Sequence, residues 1–172
     1  MKTLINGRNF ITLLSLVLII NIAMPAVVSA QAGKVNFSGN WTLNEGKSTL
    51  GDSPRMGGGD FTASQEANLL TVERTFTNRD GQSMTNTSKY TLDGKESINT
   101  TQRGESKSVA SWSADGKTLT ITTSRTFNMN GESRTMKSIE VWTMSDPKTI
   151  TIKSSVFAPN GTREMTMVYD KK

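Results

Sequence analysis

Residues 118–144 read TLTITTSRTFNMNGESRTMKSIEVWTM, and this stretch decides the fold. Up to Met129, large side chains fall on every second position: Leu119, Ile121, Phe127 and Met129, with Arg125 in phase with them. Asn130-Gly131 follows, a pair that accepts positive φ at both centres of a tight hairpin turn. From Ser133 the alternation resumes, with Met136, Trp142 and Met144 sharing a side with Glu140. Period-two alternation on both flanks of Asn-Gly describes a hairpin of two half-buried strands.

The same pattern runs outward in both directions. Asp80-Gly81, Asp93-Gly94, Asp115-Gly116, Asp146-Pro147 and Asn160-Gly161 punctuate segments rich in Thr, Val, Ile, Tyr, Phe and Trp. The spacing predicts strands near 38–44, 61–66, 69–78, 83–92, 95–101, 106–113, 118–129, 133–144, 149–157 and 162–170. A helical turn fits within Glu45–Leu50, and no segment after it has a helical period. Arg74-Thr-Phe leading through Asp80-Gly81 to Tyr90 is echoed by Arg125-Thr-Phe leading through Asn130-Gly131 to Trp142, each unit a long hairpin. Sequential hairpins make a meander, and a meander of this many strands hides its edges by closing on itself. The sequence therefore predicts an all-β fold, a single antiparallel up-and-down (meander) β-barrel of about 8–10 strands. Its one long connection is Glu45 to Asp60, which contains Gly57-Gly58-Gly59.

Residues 1–30 read as a secretory signal peptide. Lys2 and Arg8 make the start positive, Ile11 to Met24 is an almost unbroken apolar run, Pro25 ends it, and Ala26 to Ala32 supplies small residues. Cleavage after Ala30 or after Ala32 fits the small-residue pattern. A membrane anchor is the competing reading, but the run is shorter than the roughly 20 residues of a spanning helix. No cysteine follows it to carry a lipid. Removing residues 1–30 takes away Lys2 and Arg8 and no acid, so the formal charge of +5 falls to +3. The remaining Lys and Arg are scattered among Asp and Glu without a basic run, which argues against a nucleic-acid partner. The expected mature protein is one domain, residues 31–172, periplasmic or secreted from a bacterial cell and without a membrane span.

The chain has no cysteine and no histidine. Disulfides are excluded, as are Ser-His-Asp and Cys-His sites, His or Cys metal sites and imidazole acid–base catalysis. Asp80, Asp93, Asp115, Glu132 and Asp146 sit at turns. Glu140 is the one carboxylate on a strongly apolar face, and a lone carboxylate does not make a glycosidase pair. The chain reads as a non-enzyme, with no metal and no cofactor.

Binding is the remaining chemistry. Leu70, Val72 and Phe76 share a side with Arg74; Met165, Met167 and Tyr169 share one with Arg163; Tyr90 and Leu92 share one with Met84 and Asn86. If these sides point inward, the lumen is mostly Met, aromatic and aliphatic, with a few charged groups. That suits one elongated apolar ligand with a polar end. The candidate ligand-binding residues are Arg74, Arg125, Arg163, Glu140, Tyr90, Trp142, Tyr169 and Met165. An arginine on an apolar strand face is costly unless paired, so the three arginines read either as an anion site or as groups at a wet mouth or paired with Glu140. The methionines read equally as an adaptable lining or as ordinary core. Trp41 reads as a plug at the base.

Phe37-Ser-Gly39-Asn-Trp41-Thr-Leu43 opens the predicted barrel. It resembles the Gly-x-Trp opening strand of lipocalins and the Phe-x-Gly-x-Trp opening of fatty-acid-binding proteins, and about ten strands is nearer the latter. The resemblance implies a ligand carried in the lumen. It also implies an Arg-x-Tyr pair on the last strand for the ligand carboxylate. Tyr169 matches the Tyr, Met167 stands where the Arg would, and Arg163 shares the face at another depth. Two readings follow: an exported lipocalin-like binder of a small hydrophobic molecule, with or without an anionic head group, or a non-catalytic structural or interaction module of the cell envelope with a filled barrel.

Overall fold

The computed structural model describes residues 33–51, 59–77, 81–101, 104–129, 132–158 and 161–172. The proposed signal peptide and its cleavage site, Gly57-Gly58, Asp80 and Asn130-Gly131 lie outside the described residues. Ten strands follow one another: β1 (Gly39–Leu43), β2 (Phe61–Gln65), β3 (Leu69–Thr77), β4 (Ser83–Thr91), β5 (Glu96–Thr101), β6 (Gly104–Trp112), β7 (Thr118–Met129), β8 (Glu132–Asp146), β9 (Thr149–Ala158) and β10 (Gly161–Lys171). They form one antiparallel sheet in the order β4-β3-β2-β1-β10-β9-β8-β7-β6-β5. This is an up-and-down barrel in which only β4 and β5, at the two ends of that order, lack a shared backbone ladder. The helical turn is a 3₁₀ turn over Glu45–Lys47, capped by the Asn44 side chain. Beyond it, Thr49 pairs with Thr166 and briefly extends the β1 side of β10.

The barrel has a closed end and an open end. At the closed end three turns share one chemistry: Asp93, Asp115 and Asp146 each accept a hydrogen bond from the amide two residues on, at 3.1, 3.1 and 2.8 Å. The segment before β1 crosses this end as a plug. Val35 donates its amide to Gly116 O. The Gln65 carboxamide takes the Phe37 amide at 3.0 Å and gives to Val35 O at 2.9 Å. Phe37 is wholly buried, stacked on Trp112 at 5.8 Å and edge-on to Trp142 at 5.6 Å. The Trp41 indole donates to Phe37 O at 2.9 Å, so the opening Trp holds the plug in place. Gly39 has φ +148, and a Cβ there would stand 2.6 Å from Lys171 Cε. The glycine of Gly-x-Trp thus has a backbone reason.

Above the plug, Trp41, Leu70, Leu119, Trp142, Ile150, Ile152 and Tyr169 are 0–1% exposed. Each such side chain contributes roughly 1.5–3 kcal/mol of burial. Inward side chains nearer the other end remain partly exposed, among them Tyr90, Arg125, Phe127, Met136, Ser138 and Val156. The core is therefore at the closed end, and the lumen opens toward the β3–β4, β5–β6, β7–β8 and β9–β10 connections.

The lumen wall carries polar groups beside the expected Met, aromatic and aliphatic side chains. Ser97, Asn99, Ser106, Ser108 and Ser154 are buried inside it, none more than 8% exposed. On β5 the alternation is inverted, with polar Ser97 and Asn99 inward and Ile98 outward at 58% exposure.

Candidate functional site

The seam between β4 and β5 shows what some of those polar groups do. The Asn99 carboxamide accepts from the Lys89 amide at 2.7 Å and donates to Lys89 O at 3.0 Å. The Ser97 hydroxyl accepts from the Thr91 amide at 2.8 Å. A carboxamide carries the same donor and acceptor as a peptide group. Asn99 therefore stands in for the backbone ladder that β4 and β5 lack. Ser106 donates to Asn99 O, and Ser108 bonds Thr123 at 2.9 Å.

Arg74, from β3, lies over the Phe61 ring at 4.7 Å and the Trp142 ring at 6.0 Å, and donates to the Tyr169 hydroxyl at 3.4 Å. Burial works against its charge, but Glu140 first and Tyr169 next outweigh it and hold the guanidinium above its ordinary pKa. Glu140, on β8, accepts the Trp142 indole N–H at 2.9 Å and forms no ion pair with Arg74 among the described residues. Burial and then the Glu140 charge push the Tyr90 hydroxyl up, against a bond to Ser88 and the pull of Arg74 and Arg125. Burial also raises Tyr169, opposed by Arg74. The predicted residues Arg74, Glu140, Tyr90, Trp142 and Tyr169 are thus one cluster. It sits where the packed core gives way to the open half of the lumen.

Arg125 lies higher, paired in register with Ser106 on one side and Met136 on the other. Its Nε is fully buried and has no hydrogen-bond partner. A buried donor left without a partner costs about 1–3 kcal/mol, and the Trp112 Nε1 is a second such donor. Met165 is buried on β10 beside Ser154. Arg163 is exposed near the open end, in register with Val156. Trp142 and Tyr169, at 1% and 0% exposure, belong to the packed end and reach the lumen only through Glu140 and Arg74. Sequence reasoning missed Ser97, Asn99, Ser106, Ser108 and Ser154. In β6 the two serines are in phase with Ala110 and Trp112, but both faces of that strand are polar enough to mask the period.

A separate concavity of about 640 Å³ lies on the outer wall of β1–β4, lined by Asp60, Thr62, Glu73, Thr75 and Lys172 among others. It lies on the opposite face of the sheet from the lumen cluster. Among the described residues no helix is long and apolar enough to cross a membrane.

No family model matches the chain, and no curated protein matches it. A solved structure does: the zebrafish ileal bile acid-binding protein in complex with cholic acid, at a TM-score of 0.51 and 17% identity, covering 79% of this chain and 98% of that one. The likeness establishes the all-β, ten-stranded, nearly closed up-and-down barrel as a fold that the two proteins share.

Proposed function

We propose that the protein is a non-catalytic carrier of one small hydrophobic molecule with an anionic group, held in the open half of the lumen. The observation that carries this reading is the buried, unpartnered Nε of Arg125. Arg125 belongs to the inward-facing residues of the open half, and its charge acts with those of Arg74 and Glu140 on the Tyr90 hydroxyl. An anionic oxygen would supply the missing acceptor. The bile-acid complex of the structurally similar protein supports the reading, because there too a ten-stranded barrel holds an amphipathic acid. Residues 1–30 direct the chain out of a bacterial cytoplasm, and the mature barrel works in the periplasm or outside the cell.

Native mass spectrometry of protein purified from its own cells tests both parts. The expected mature mass begins at Gln31 or Gly33, and one bound anionic amphiphile is recovered on denaturation. Arg125→Ala should fold and lose the bound molecule. An empty protein that also ignores hydrophobic anions added in excess would refute the carrier reading.

A further inference from the structure

The outer wall of β1–β4 is hollowed where a barrel wall is ordinarily convex. β1 and β2 are five residues each, and β3 and β4 are nine. β2 starts opposite Arg74, so Thr75 on β3 and its partner Thr85 on β4 run on past it. That step in the wall shapes the concavity of about 640 Å³, within the roughly 300–1,000 Å³ of small-molecule sites. Two of its lining residues, Trp41 and Phe61, are at most 3% exposed and offer it no ring face.

The hydrogen-bond inventory sets the chemistry. Thr62 gives its hydroxyl proton to Asn40 Oδ1 at 2.8 Å. Asp60 accepts from the Thr42 hydroxyl, the Leu43 amide and the Lys172 ammonium at 3.3, 3.1 and 2.8 Å. One of the Thr75 and Thr85 hydroxyls donates to the other at 3.2 Å. The threonine protons are thus largely engaged, and their oxygens remain as acceptors. Glu73 is exposed, in register between Thr62 and Thr87, and forms no hydrogen bond or ion pair among the described residues. Donors are offered on the β1 side, by Asn40 Nδ2 and the rest of the Lys172 ammonium. The lining holds two carboxylates and one ammonium.

The geometry points to a second binding site here, on the wall opposite the lumen, for a hydroxylated amine: an amino sugar of one or two rings. Its ammonium sits at Glu73, where a charge-assisted bond is open. Its hydroxyl protons meet the threonine oxygens, and a ring or hydroxyl oxygen takes Asn40 and Lys172. The excess carboxylate repels an anion, and an apolar molecule finds no exposed ring or branched aliphatic side chain to cover.

Four probes test this by amide chemical-shift titration at mildly acidic pH, where amines are charged: the glucosamine disaccharide of the cellobiose linkage, its diacetylated form, cellobiose, and spermidine. The glucosamine disaccharide is expected to bind about tenfold more tightly than the other three, the worth of one charge-assisted hydrogen bond. Its shifts should group at Asn40, Thr62, Glu73, Thr75 and Thr85. Glu73→Gln, an exposed substitution away from the core, should bring the advantage over cellobiose to within about twofold. The lumen variant Arg125→Ala should leave the titration unchanged, which separates this site from the carrier. No binding, shifts grouped elsewhere, an advantage that survives Glu73→Gln, or equal binding of spermidine would each overturn the inference and leave the carrier reading standing.

Discussion

Arg125 and Arg74 look alike in the sequence and behave oppositely in the barrel. Arg74 is seated, stacked on Phe61 and bonded to Tyr169. Arg74→Ala should cost about 2–4 kcal/mol, because it removes the ring contacts and leaves Glu140 without a compensating charge. Arg125 carries an idle buried donor. Arg125→Met should leave the empty protein as stable or raise its stability by about 1 kcal/mol, since an unsatisfied donor is removed, while anion binding is lost. Urea unfolding of both variants reads the contrast, and a large loss at Arg125 would show that its guanidinium is structurally engaged. The sequence placed both arginines on the inward face of strands patterned for a core. It did not distinguish them, because the rings that seat Arg74 come from β2 and β8, remote in the chain and set by barrel closure.

The strands themselves were fully legible. All ten predicted segments are strands, each end within two residues of its predicted place. Turn pairs such as Asp93-Gly94 and Asp115-Gly116 fix the hairpin boundaries locally, before any tertiary contact is made. The seam was not legible. β5 reads Glu-Ser-Ile-Asn-Thr-Thr, and hydrophobic phase alone would turn Ile98 inward. Closure wins instead, because Ser97 and Asn99 must reach the β4 backbone. Asn99→Ala therefore leaves both the amide and the carbonyl of Lys89 without protein partners and should cost about 1–3 kcal/mol. Amide hydrogen exchange should speed up locally at Lys89 and Thr91 while β7 and β8 stay protected. Uniform loss of protection would mean that the seam is not an independent unit.

Across the whole molecule, proton linkage follows from the turns and the lumen. Hydrogen bonds hold five carboxyls below the ordinary 3.8: Asp60 through Lys172, Asp115 through Ser113, Asp146 through the Lys148 amide, Asp170 through Asn44, and Asp93 through Lys95, the last to about 2. The unfolded chain takes up these protons at higher pH than the folded one. Their stabilisation is therefore complete above about pH 4 and is lost as pH falls toward 2. Tyr90 and Tyr169 are raised above 10.0, so the unfolded state releases their protons first and stability declines as pH climbs past that value. With no histidine to titrate between, the melting temperature should stay flat from about pH 5 to 9. A step near neutrality in a calorimetric series would contradict this.

The chain enters and leaves the barrel at the closed end, where the Lys172 amide reaches Asn40 O at 2.9 Å on neighbouring strands. Between β4 and β5, at Asp93-Gly94, no backbone ladder spans the wall. Circular permutation is therefore open to this molecule. A short linker from Lys172 to Gly33, with new termini cut at Asp93-Gly94, severs a turn but no paired strand. The permuted gene should yield the same barrel, with its fresh ends beside the Asn99 latch and its mouth untouched.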